Sequence, residues 1–132
     1  MSALQERATS ITDRTGRRPT ITVEATDPFP QLPLPAETAA YRITDEALTN
    51  VVRHAQATRC VVRLSTNTGT GAVLTVEVHD NKRGPTAPCR GNGGVGLVSM
   101  RRRAEELGGT FRIAVDDTGN TVTAQLPLNT GQ

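Results

Sequence analysis

The stretch Tyr41-Arg42-Ile43-Thr44-Asp45-Glu46-Ala47-Leu48-Thr49-Asn50-Val51-Val52-Arg53-His54-Ala55 carries the clearest helical period in the chain. Within residues 36–55, Ala40, Ile43, Ala47, Leu48, Val51, Val52 and Ala55 make one apolar arc, as a helix laid on a core requires. Glu46, Asn50 and His54 follow one another at i, i+4 and i+8. Each step advances only about 40° around the helix, so the three form a single stripe. The stripe borders the apolar arc, and polar groups there face the rim of whatever the helix packs on. An Asn oxygen suits a hard cation such as Mg²⁺, and a Glu can orient a metal-bound water or act as a base. Taken alone, the stripe fits a solvated helix face equally well.

On either side of this helix the pattern changes to strands. Ile21 and Val23 alternate with Thr20, Thr22 and Glu24, which predicts an edge strand. Pro28, Pro30, Pro33 and Pro35 predict an extended connection into the helix, and residues 3–15 a short polar lead-in helix. Residues 58–66 read as a strand with Cys60, Val62 and Leu64 on one face, and residues 73–80 as a second with Leu74, Val76 and Val78. Asn67-Thr68-Gly69-Thr70-Gly71 between them is a hairpin turn. Residues 81–96 hold Pro85, Pro88 and a run of glycines without periodicity, which predicts a loop. A helix over 97–107 follows, stopped by Gly108-Gly109, and then strands over 110–115 and 121–126. The order β-α-β-β-loop-α-β-β predicts an α+β two-layer sandwich, a mixed sheet with its helices on one face.

The bulk composition narrows the classes of function. At 132 residues the chain is the size of one domain, and 36% hydrophobic with 21% charged residues is ordinary for a globular chain. Three aromatic residues argue against the stacking platforms of a single-stranded nucleic-acid binder. A net charge of +2 does not dictate a polyanionic partner. Cys60 and Cys89 lack metal-site spacing and read as reduced thiols. No apolar run approaches the roughly 18–20 residues of a membrane span, so a cytoplasmic domain is expected, or the cytosolic part of a membrane-bound sensor.

Two further features bear on chemistry. By strict alternation Asp80 falls on the same face as Leu74, Val76 and Val78, the core face. A carboxylate aimed inward there needs hydrogen-bond donors, which the exocyclic amine of a nucleotide base would supply; a cap on the turn Asn81-Lys82-Arg83-Gly84 is the plainer alternative. Gly91-Asn92-Gly93-Gly94-Val95-Gly96-Leu97 is a glycine-rich loop opening a helix, a natural phosphate cradle. It also spells the dinucleotide fingerprint G-x-G-x-x-G with Asp116 about twenty residues on, but no strand leads directly into it and the βαβ context is missing. There is no G-x-x-x-x-G-K-[ST].

A Glu/Asn helix, an inward Asp at a strand end and a glycine loop before a helix, in that order, resemble the GHKL-type ATPase (Bergerat) fold. The segment 41–55 is similar to the N box of the ATP-binding catalytic domain of bacterial sensor histidine kinases of the nitrate-sensor or DesK-like class. Gly94-Val95-Gly96-Leu97-Val98-Ser99-Met100-Arg101-Arg102-Arg103-Ala104-Glu105-Glu106-Leu107-Gly108-Gly109 resembles its G2 box and following helix. The likeness runs from about residue 15 to 127. It implies ATP with Mg²⁺ as the ligands and a single catalytic domain over 1–132, with the G1 box and lid in 81–96. It also implies roles: Asn50 on the metal, Glu46 orienting a water or the incoming histidine, and Arg53 and His54 near the phosphates. Asp80 would meet the adenine amine, Gly84 close the base pocket, Gly94, Gly96 and Leu97 line the phosphate loop, and Met100 pack near the ligand. Arg101–Arg103 would cover the phosphates or touch a partner domain. The implied partners are a dimerisation and phosphoacceptor helical domain and a downstream response regulator, with no nucleic acid and no membrane contact.

The chain departs from that pattern in three places. Lys82 stands where the G1 box has a glycine, in Asp80-Asn81-Lys82-Arg83-Gly84. Thr118-Gly119-Asn120 replaces the usual glycine-glycine-threonine, altering one polar contact to the base. Neither His54 nor His79 has the surroundings of a phosphoacceptor histidine, so the accepting histidine is expected on another domain. Two alternatives share the fold: a regulatory module with a degenerate nucleotide site, and an anti-sigma-factor-like serine kinase.

Overall fold

The computed structural model describes residues 20–25, 32–51, 58–67, 72–81 and 94–128. Strand β1 (Thr20–Ala25) leads to helix α1 (Leu34–Asn50), the hairpin strands β2 (Arg59–Thr66) and β3 (Val73–Asp80), helix α2 (Gly94–Glu106), and the closing hairpin β4 (Thr110–Asp116) and β5 (Gly119–Pro127). The strands form one sheet in the order β1-β2-β3-β5-β4. β1 runs parallel to β2 and every other pair is antiparallel. α1 lies against β3 and β5, while α2 lies against α1, β4 and β5. This is the mixed α+β sandwich expected, with β1 at an edge.

Alternation decides which side chains meet the helices. Cys60, Val62 and Leu64 of β2, Leu74, Val76 and Val78 of β3, Ala124 and Leu126 of β5 and Phe111 of β4 are buried. They interlock with Ala39, Ala40, Ile43, Ala47, Leu48 and Val51 of α1 and with Met100 and Ala104 of α2. The opposite face is polar: Arg63 reaches Glu24 at 3.0 Å and Glu77 at 3.5 Å across three strands, and His79 Nδ1 is 2.8 Å from Thr121 Oγ1.

Several boundaries differ from the sequence expectation, each for a local reason. α1 begins at Leu34, so Pro35 sits in its first turn and not in the extended connection. A first-turn position has no intrahelical acceptor for an N–H, so proline loses nothing there. The last turn expected for this helix, residues 52–55, lies outside the described residues, as do the lead-in helix and most of the 81–96 loop. α2 begins at Gly94, which moves Gly94 and Gly96 from a loop into a first helical turn. Its end is as expected. The N–H of Gly108 donates to Glu105 O and that of Gly109 to Ala104 O, both at 2.9 Å, with Gly108 left-handed at φ 82°; this is a Schellman stop. The β4–β5 turn is tighter than expected. β5 starts at Gly119, which draws Asn120 out of the turn and into the sheet.

Candidate nucleotide site

β3 ends on Asp80, and antiparallel register sets it directly opposite Cys60 of β2 and Asn120 of β5. The three residues form a polar row across the covered face of an otherwise apolar sheet. They are 1%, 5% and 5% exposed for Cys60, Asp80 and Asn120. Asn120 Nδ2 donates to Asp80 Oδ1 at 3.3 Å. The Cys60 thiol is pushed up to about 12, first by burial and then by the charge of Asp80 beside it. It therefore stays a neutral S–H at any physiological pH, inert as a nucleophile.

Two backbone devices hold Asp80 at this spot. Gly119 adopts φ +139°, and a Cβ there would stand 1.8 Å from the Asp80 carbonyl oxygen, so only glycine lets β5 close against β3. On the other side Asn81 ties the end of β3 to the start of β2. Its Oδ1 accepts from the N–H groups of Thr58 and Arg59, each at 3.0 Å, and its Nδ2 donates to Thr58 Oγ1 at 2.9 Å. Asn81 thus bridges the end of β3 to the start of β2.

α1 packs against β3 and β5 on the covered face of the sheet. Glu46 and Asn50 are half-buried beside the fully buried Ile43 and Ala47, which is the border position read from their spacing. Gly94 and Gly96 lie in the first turn of α2, where backbone N–H groups have no intrahelical acceptor. Met100 is 1% exposed and belongs to the core between α2, α1 and the sheet. Arg101 lays its guanidinium 5.4 Å from the Phe111 ring centre and 3.9 Å from Glu105, so part of the basic run serves packing. Arg53, His54, Lys82 and Gly84 lie outside the described residues. Among the described residues no cluster of three or more His, Cys, Asp and Glu could hold a metal by itself.

The donor set fits a nucleotide. A buried carboxylate at a strand end is an acceptor suited to an exocyclic amine, and the half-buried Asn50 amide offers an oxygen to a hard cation whose other ligands come from phosphate and water. Sequence reading foresaw neither Cys60 nor Asn120 as a member of this row, although the resemblance tied the triplet 118–120 to a base contact. Cys60 passed as an ordinary thiol and Asn120 as part of a turn. The signal for Asn120 was present, because the inward alternation Leu126, Ala124, Val122 continues to 120.

The family described as histidine kinase-, DNA gyrase B- and HSP90-like ATPase matches residues 36–130. Sensor protein VraS of Staphylococcus epidermidis is 33% identical over 100 residues, which cover 75% of this chain and 28% of VraS. VraS of Staphylococcus aureus matches over the same shares at 33%. The chain thus spans little more than a quarter of the length of these curated relatives. Among solved structures, the histidine kinase domain of the Erythrobacter litoralis blue-light activated histidine kinase superposes with a TM-score of 0.70 at 26% identity, over 96% of this chain and 60% of that one. The Acinetobacter baumannii histidine kinase AdeS superposes at 0.62 with 12% identity, over 98% and 61%, a likeness of fold alone. No described helix is long and apolar enough to cross a membrane.

Proposed function

The chain belongs to the histidine kinase-, DNA gyrase B- and HSP90-like ATPases, and from that premise we propose that it is the ATP-binding catalytic domain of a two-component sensor histidine kinase. It takes Mg·ATP and delivers the γ-phosphoryl to a histidine on a separate dimerisation and phosphoacceptor domain, from which a response regulator is charged. Residues 1–132 act as one such unit on the cytosolic side of the sensor, and the N-box segment 41–55 favours the nitrate-sensor or DesK-like class. The single observation that carries the reading is Asp80: a carboxylate 5% exposed on the apolar, helix-covered face of an inner strand.

The roles follow from chemistry and position. Asp80 accepts from the base amine, which fixes the nucleotide at the sheet end of the pocket. Asn50 gives its side-chain oxygen to Mg²⁺, which neutralises phosphate charge when bound. Glu46, one turn back on the same half-buried stripe, orients the incoming imidazole. The α2 first turn, through Gly94 and Gly96 with Leu97 beside them, offers its N–H groups and dipole to the phosphates. Arg53 and His54 complete the phosphate side, Gly84 closes the base pocket, and Met100 backs it from the core. Catalysis on this plan is mostly positioning and charge neutralisation.

Titration of a non-hydrolysable ATP analogue by calorimetry tests it. Asp80→Asn is expected to abolish binding while circular dichroism stays unchanged; unchanged affinity overturns the reading. Removing Mg²⁺ with EDTA, or Asn50→Ala, is expected to weaken binding at least tenfold, about 1.4 kcal/mol. Glu46→Gln is expected to retain binding and lose phosphoryl transfer to an added phosphoacceptor domain.

A further inference from the structure

β1 is the described strand with the least to hold it. It lies at an edge of the sheet and pairs with β2 alone, and its Ile21 and Val23 pack on the core while only partly buried. β4, at the opposite edge, is backed by α2 as well. A strand held like β1 opens locally at a cost well below that of unfolding the sheet. Its first residue is nonetheless tied into a dense set of bonds. The N–H of Thr20 donates to Thr58 O at 2.9 Å. Thr58 is in turn held by Asn81, whose Oδ1 accepts from the N–H groups of Thr58 and Arg59 at 3.0 Å and whose Nδ2 donates to Thr58 Oγ1 at 2.9 Å. The amide orientation is imposed, since two backbone N–H groups can face only its oxygen. The N–H of Asn81 also donates to Arg59 O at 3.2 Å, so its backbone and side chain grip the same segment. Asn81 follows Asp80 in the chain. A continuous path of bonds therefore runs from Asp80 to the residue where β1 begins.

We propose that Asn81 couples the nucleotide site to β1: a base held by Asp80 stiffens the end of β3, and the Asn81 bonds pass that stiffening through Thr58 to Thr20. The coupling rests on the reading that Asp80 meets the nucleotide base. Asn81 touches no ligand on this plan; it acts through its neighbours, as a positioning residue. When the site is empty, the tip of β3 fluctuates with Asn81, and each excursion stretches the bonds to Thr58 and Arg59. A bound base shrinks those excursions, so Thr20 must open from a better ordered network. The contact from Asn120 Nδ2 also steadies Asp80, but it leads to β5 and not to β1. Linkage makes the effect reciprocal: docking of β1 orders the same tip and tightens nucleotide binding by the same factor. A force on the chain ahead of Thr20 thus changes nucleotide affinity without touching the pocket.

Amide hydrogen exchange at Thr20 reads the coupling, in the 132-residue chain free and saturated with a non-hydrolysable ATP analogue and Mg²⁺. In wild type, saturation is expected to slow Thr20 exchange by about fivefold or more, and to slow the paired amides of β4 less. In Asn81→Ala, brought to saturation with more analogue, the slowing at Thr20 falls below about twofold. Asn81→Asp keeps an oxygen for both N–H groups and recovers most of the slowing. Thr58→Val removes only the contact to Asn81 Nδ2 and falls between. An Asn81 that is merely structural speeds Thr20 exchange alike with and without analogue, so the ratio of the two rates stays at its wild-type value. That ratio in Asn81→Ala overturns the inference, as does equal slowing of Thr20 and β4 in wild type, which marks general stabilisation. Wild type that binds the analogue without slowing Thr20 also overturns it, with no variant required, and leaves Asp80 in its role. Wild type that binds no analogue overturns the reading of Asp80 and the coupling with it.

Discussion

Four single residues carry costs that can be measured apart from any ligand. Cys60 stays protonated in the fold up to about pH 12, whereas the same thiol in the unfolded chain ionises near the usual thiol range. Below that range both states hold the proton and the full stability is present. Above it only the unfolded chain releases the proton, so stability falls as pH rises from about 9 towards 12, by about 1.4 kcal/mol per unit at most. Denaturant melts from pH 8 to 11 are expected to show a steeper alkaline loss for wild type than for Cys60→Ala. Thr44 is fully buried on α1, and its hydroxyl has no hydrogen-bond partner among the described residues. Thr44→Val keeps the shape and drops a desolvated polar atom, so it is expected to raise stability by about 1 kcal/mol. Two glycines rank by their surroundings. Gly119→Ala meets Asp80 O at 1.8 Å and disrupts the sheet, while Gly108→Ala meets nothing closer than Pro127 Cγ at 3.9 Å and costs about 1–2 kcal/mol for its left-handed φ. At this scale the sequence spoke clearly about Asp80, because period-2 alternation is a strong signal over eight residues. It said little about Asn81 and Asn120, whose roles come from strands more than twenty residues away.

Elements were more legible than residues, and their misreadings share a cause. The α1 stripe of Glu46 and Asn50 came from spacing alone and lies at the half-buried border where that spacing put it. The edge strand Ile21–Val23 and the Gly108-Gly109 stop were also readable, since each depends on neighbours in sequence. The starts of α1, α2 and β5 were not. Proline and glycine mark turns in isolation, but in a first helical turn the missing proline N–H and the freedom of glycine do no harm. Burial sets the expected ranking along α1: Leu48→Ala, at a fully buried position, costs about 2–5 kcal/mol in chemical melts, and Leu34→Ala, 71% exposed, shifts them by less than about 0.5 kcal/mol. Phe111→Ala in the edge strand β4 costs about 3–5 kcal/mol and also strips Arg101 of the ring it lies on.

The whole molecule ties the nucleotide to the fold. The proposed base contact is made where β2, β3 and β5 meet, so an analogue that binds there binds only the closed sheet. At a concentration 100 times its Kd with Mg²⁺, the analogue is expected to add about 2.7 kcal/mol to unfolding, and EDTA to remove most of it. The position of β5 has a consequence for biosynthesis. Although it follows β4 in the chain, it occupies the slot between β3 and β4, and its partner residues Asp80 and Asn120 lie 40 positions apart. On the ribosome, β1 through β3 and both helices emerge first, leaving β3 with an open hydrogen-bonding edge and a buried-type carboxylate exposed at its tip. Until β5 has been translated and inserted, the nascent chain is expected to carry an unpaired β3 edge and an incomplete proposed pocket. Of the described strands, the latest in the chain is thus the one that would complete the proposed pocket.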